Sequence, residues 1–139
     1  MAQAYQLISS VTVGSGGSSS ITFSNIPQNF TDLVVKVSSR SDRNTGSWTE
    51  IWFRINNNSS SIYSTRAMYG NGSSISNNLQ NSTAYAVVAE SDQTNSTSST
   101  FASTEICLPN YTTSVKKAFS VEGTNETTGT DIRLYLTAG

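Results

Sequence analysis

The sequence predicts an all-β fold, an antiparallel β-sandwich with jelly-roll-like order and about nine strands. Three observations lead there. Apolar and polar residues alternate in short runs from end to end, no segment carries a helical stripe, and clusters of Gly, Asn and Ser separate the runs. A parallel sheet would need helical crossovers, which the pattern does not supply. At 139 residues the chain has the length of one domain, so residues 1–139 are read as a single sandwich.

The first run, residues 5–13, leads through Gly14-Ser15-Gly16-Gly17 into residues 19–24, where Ile21 and Phe23 share a side. That spacing predicts a hairpin with a loose glycine loop. Residues 31–40 place Leu33, Val35 and Val37 on one face and Asp32, Val34, Lys36 and Ser38 on the other, as in a half-buried strand. In residues 48–56 both faces carry large apolar groups. Ile51, Phe53 and Ile55 share one face, and Trp48 and Trp52 share the other with Glu50 and Arg54. Further strands are expected at 62–69, 84–90, 101–108, 115–122 and 131–138, separated by turn formers such as Gly70-Asn71-Gly72-Ser73. The stretch 69–83 reads as the longest loop, and long loops tend to carry contacts.

Charged residues make up only 12% of the chain and the net charge is -1. Neither nucleic acid nor an anionic lipid surface is an expected partner. Ser, Thr and Asn supply roughly two-fifths of the residues instead, far above ordinary usage. The first residues show neither a positive cluster followed by an apolar stretch nor a membrane span, so synthesis in a cytoplasm is expected. The chain has no histidine and one cysteine, Cys107, which excludes an intrachain disulfide and the usual zinc and copper ligand sets.

The same absence removes the base of a Ser-His-Asp or Cys-His nucleophilic site. The glycine loop is followed by a β run, not by a helix whose N-terminus could hold phosphate. Carboxylate pairs drawn from Glu50, Glu90, Asp92, Glu105, Glu122 and Asp131 could serve a glycosidase only by facing one another, and ordinary surface pairing accounts for them. Calcium at Glu90 and Asp92, or at Asp42 and Asn44, lacks a loop of recognised spacing. No catalysis, metal or cofactor is expected. The eight Asn-x-Ser/Thr sequons follow from the composition.

The Trp48 and Trp52 face is the leading candidate for function. Either a second sheet or loop covers it, or it is an oligomer or partner interface, where exposed aromatics are enriched. In the second case Arg54 joins the surface, and the segment Arg40-Ser41-Asp42-Arg43-Asn44 supplies a polar rim through Arg40 and Arg43. Residues 2–5, ending at Tyr5, would form an arm that a partner orders. Sugar stacking would need Tyr63, Tyr69, Tyr85 or Tyr111 to share one groove with the tryptophans.

The run Ile26-Pro27-Gln28-Asn29-Phe30-Thr31-Asp32-Leu33, with Leu7-Ile8-Ser9-Ser10-Val11-Thr12-Val13-Gly14 before it and Val37-Ser38-Ser39-Arg40-Ser41-Asp42 after it, resembles small structural proteins of tailed phages. It is most similar to those encoded by cyanophages and other aquatic phages. The likeness is close over the first third and extends beyond it as a Ser/Thr/Asn-rich β character. It implies a virion role. Small β-sandwiches of that group decorate the outer capsid surface as cement proteins, often as homotrimers seated on the major capsid protein, or form receptor- or glycan-binding tips of tail fibres. A short free-standing chain without a repetitive shaft favours decoration, and a fibre tip would use the loops at 69–83 and 90–99.

Overall fold

Alternating apolar runs fold into eight antiparallel strands in the computed structural model, which describes residues 5–46, 48–126 and 132–139. The strands are β1 (Leu33–Ser39), β2 (Thr49–Phe53), β3 (Tyr63–Gly70), β4 (Ile75–Thr83), β5 (Ala86–Ser91), β6 (Ala102–Leu108), β7 (Ser120–Glu126) and β8 (Ile132–Ala138). All of them belong to one of two units, Thr31–Gly139; the other unit is Met1–Phe30. The all-β antiparallel class is as expected.

The described part of the first unit, residues 5–30, contains no strand. Its glycine turn does form, with the Gly17 amide donating to the Gly14 carbonyl at 3.0 Å and Gly17 at a φ of 72°. The flanking runs nevertheless do not pair, which corrects the hairpin expected at 5–13 and 19–24. A two-stranded ribbon is marginal unless one face packs on something, and Leu7, Val11, Val13, Ile21 and Phe23 all remain exposed. The candidate arm begins at residues 2–4, which lie outside the described residues, as does Asp131.

A second correction lies at 69–83, where the expected loop is a turn followed by β4. The Asn71 side-chain carbonyl accepts from the Ser73 and Ser74 amides at 3.1 and 3.0 Å, and Gly72 takes a φ of 84° that favours glycine. The chain then returns as Ile75–Thr83 and pairs with β3. Three asparagines in that strand lower its β propensity and hide it from the sequence pattern. The strand expected at 115–122 starts later, at Ser120, because residues 110–113 form a turn whose Asn110 carbonyl accepts from Lys117 Nζ at 2.9 Å.

Six strands form one sheet in the order β1-β6-β7-β8-β3-β4, and β2 pairs with β5 in a second. A jelly roll divides its strands between two comparable sheets; here the division is six and two. The small sheet packs on the large one through β5, which lies against β7. Opposite β2, a bulge between Ile51 and Trp52 shifts the register so that Val88 and Ala89 both turn inward and are buried. Gly123 permits the close approach, since a Cβ there would stand 3.1 Å from the Ala89 Cβ.

The core between the sheets consists of Tyr63, Ala86, Val88, Ile106, Leu108, Phe119 and Val121, with Leu33, Val35, Ile51, Phe53, Ile55 and Tyr111 packed around it. Each large apolar side chain fully buried this way contributes about 1.5–3 kcal/mol. Polar pins lock the layers as well. Thr137 Oγ1 donates to the Val88 carbonyl at 3.0 Å, and the Tyr63 hydroxyl accepts from the Ile55 amide and donates to the Asn58 carbonyl, each at 3.0 Å. Tyr63→Phe leaves that partly buried amide unpaired. The expected loss is about 1–2 kcal/mol, read as a lower urea midpoint with an unchanged slope.

Candidate functional site

Alternation along β2 sends Ile51 and Phe53 toward the core and leaves Trp48, Glu50, Trp52 and Arg54 on the outer side. Trp52 is 58% exposed, yet it is held on two sides. Its ring stacks on Tyr85 with centroids 4.0 Å apart and planes at 17°, and its Nε1 donates to Glu50 Oε2 at 2.8 Å. Tyr85 is steadied in turn by Arg54, whose Cζ lies 5.8 Å from the ring centroid while its Nε donates to the Ala84 carbonyl at 3.0 Å. The second indole face is left open to solvent.

Trp48 is built into a different group of residues. The Arg133 guanidinium stands over its ring at 4.2 Å and over Tyr69 at 5.9 Å, and Tyr69 stacks on Tyr135, its cross-strand partner, at 5.4 Å. Arg133 Nη1 also meets Glu90 Oε2 at 3.3 Å, an ion pair whose side chains are largely buried. Desolvation by burial holds the Glu90 carboxyl above the usual carboxylate range, opposed by the neighbouring Tyr135 hydroxyl and the Arg133 charge and reinforced by Glu50. Burial likewise raises the Tyr135 phenol.

A carboxyl with a raised folded-state pKa binds its proton more tightly when folded, so its stabilising contribution is complete below the ordinary value of 4.5 and is lost as pH rises through the raised value. Glu90→Gln removes this dependence. Urea melts of the two proteins should show wild type gaining relative to the variant as pH falls from neutral toward 4.5.

Trp48 separates two shallow clefts. One, of about 330 Å³, is lined by Arg43, Trp48, Thr49, Glu50 and Trp52. The other, of about 200 Å³, is lined by Trp48, Tyr69, Asn71, Ser74, Ser76 and Arg133. The structure thus brings together Trp48, Trp52, Arg43 and Arg54 of the expected surface. Tyr85 and Tyr69 also join the tryptophans, whereas Tyr63 and Tyr111 belong to the core. Tyr5 is exposed in the other unit.

Arg40 is committed elsewhere. Its guanidinium donates to the carbonyls of Thr97, Thr100 and Ser96 at 2.9, 2.8 and 3.2 Å, which organises the loop after β5 and corrects its expected place in a rim. Asp92 is fully buried, and its Oδ1 accepts from the Glu126 amide at 2.8 Å, so it serves as a structural acceptor. Among the described residues no group of three or more His, Cys, Asp or Glu could hold a metal ion. Nor, among the described residues, is any helix long and apolar enough to cross a membrane.

A further surface escaped the sequence reading. On β8 the side chains of Arg133, Tyr135 and Thr137 turn inward, leaving Ile132, Leu134 and Leu136 on the outer face of the large sheet. Leu136 lies opposite Met68 of β3, and Leu134 lies opposite Gly70, which in turn faces Ile75 of β4. These residues form an apolar patch across β8, β3 and β4, with Leu79 set off from it by Arg66 and Asn77; Ile75 is 77% and Leu134 54% exposed. Ordinary monomers rarely leave so many large apolar groups together in water.

The fold and these two surfaces define a two-sheet antiparallel β domain with exposed aromatic and aliphatic groups on its outer faces. No family model, curated protein or solved structure matches the chain.

Proposed function

We propose that the protein is a capsid decoration protein of a tailed phage, which binds the outer surface of the assembled head and stabilises it by bridging capsid subunits. Its partners in this reading are the major capsid protein and further copies of itself, assembled as a homotrimer. It is made in the host cytoplasm, resides in the virion and performs no catalysis.

The observation that carries the proposal is the apolar outer face of the large sheet. Burying that face in an assembly recovers hydrophobic stabilisation that the isolated chain forgoes. Residues 5–30 support the same reading, because they carry exposed apolar side chains in a segment without strand pairing. Backbone and side chains of that kind gain partners when subunits meet. Glu122, opposite Leu136 on β7, borders the patch and gives a neighbouring subunit a polar point to engage.

Purified protein mixed with undecorated heads of the encoding phage should sediment with them and raise the temperature at which they disrupt. Absence of both effects would overturn the proposal.

A further inference from the structure

We infer that the paired clefts around Trp48 form a binding site for an uncharged glycan, with neighbouring pyranose units placed on either side of that indole. The inference goes beyond the proposed capsid role and does not rest on it, since the clefts and the apolar sheet face use different residues.

Trp52 is the most exposed aromatic side chain of the two clefts. An indole fixed by Tyr85 on one face and by Glu50 at its N–H, but 58% exposed, is a rigid apolar platform that opens into the cleft it shares with Trp48. Holding such a platform ready costs little further ordering when a ligand arrives. A protein partner would need its anchors fully desolvated inside a ring of contacts that excludes water, which two shallow open clefts do not supply on their own. Here the surround is polar: Arg43, Thr49 and Glu50 in one cleft, and Asn71, Ser74 and Ser76 in the other.

A pyranose ring matches that mixture, because it presents C–H bonds on its faces and hydroxyls around its rim. Its face stacks on Trp52 while its hydroxyls donate to Glu50 and accept from Arg43; in the second cleft, where Arg133 already stands over Trp48, a neighbouring unit engages the Asn71, Ser74 and Ser76 side chains through its hydroxyls. Size agrees as well. Volumes of about 330 and 200 Å³ lie at or below the low end of the roughly 300–1,000 Å³ that drug-sized ligands occupy, so each cleft suits a single ring. Charge selects among glycans. Arg133 is paired with Glu90 and Arg43 shares its cleft with Glu50, which leaves the site balanced and favours a neutral sugar over a sulfated or uronic one.

The chain has two tryptophans and both are in this site, so intrinsic fluorescence reads it directly. The full chain is titrated with maltohexaose, cellohexaose and mannohexaose. A saturable fluorescence change with at least one of them is expected. Trp52→Ala, and independently Arg43→Ala, should weaken that binding at least tenfold, measured by calorimetry, with circular dichroism unchanged. Met68→Asp on the sheet face should leave it unaltered, which separates this inference from the capsid proposal. No saturable response to any of the three sugars overturns the inference, and so does a Trp52→Ala variant that loses self-association while no sugar binds, because it assigns the face to protein contact.

Discussion

Replacing both Met68 and Leu136 by aspartate is expected to leave a folded monomer that no longer binds phage heads. The two side chains lie opposite one another on the outer face of the large sheet and are 49% and 43% exposed, so neither holds the core together. Partial burial of each in an interface is worth on the order of 1 kcal/mol, and a carboxylate forced into the same place adds desolvation cost. Together the changes should remove about 3–5 kcal/mol, more than a hundredfold in affinity. Sedimentation velocity gives the oligomeric state, and the denaturation midpoint verifies that the fold survives.

The second large effect is expected at Arg40. Three carbonyls of the loop after β5 converge on its guanidinium, and hydrogen bonds to a charged group are worth about 1.5–3 kcal/mol each without being additive. Arg40→Met should therefore cost about 3 kcal/mol. The loss should be local first, with amides near Ser96 exchanging faster in hydrogen-exchange measurements, while tryptophan fluorescence stays unchanged. A rim residue would behave in the opposite way, with little effect on stability and a direct effect on binding.

Leu136 and Arg40 mark what the sequence revealed and what it concealed. Alternation with period two announces a strand but does not say which face is the core, and a strand with apolar groups on one side reads the same either way. In β8 the inward face is Arg133, Tyr135 and Thr137, so the three most hydrophobic residues of the strand are on its outside. β2 was legible because both of its faces carry large groups, and at least one of them had to point outward. β4 was hidden by its asparagines. The glycine turn at residues 14–17 was legible, but the pairing of its flanks was not, since pairing depends on a packing surface and not on the turn.

The candidate site was half legible for the same reason. Trp48 and Trp52 lie within one short segment, and their common face follows from spacing alone. Tyr69, Tyr85, Glu90 and Arg133 reach the site from β3, the approach to β5, β5 itself and β8, which only the long-range strand registers bring together. Arg40 looked like a surface cation because no local pattern reveals that loop carbonyls more than fifty residues away will surround it.

The proposed decoration of a phage head through the outer face of the large sheet is open to electron cryo-microscopy of the virion. Density for this domain is expected on the outer capsid surface, repeated around three-fold positions, with Met68, Leu134 and Leu136 buried against a neighbouring subunit. Density confined to the tail, or a domain on the head whose large-sheet face is turned to solvent, would contradict it.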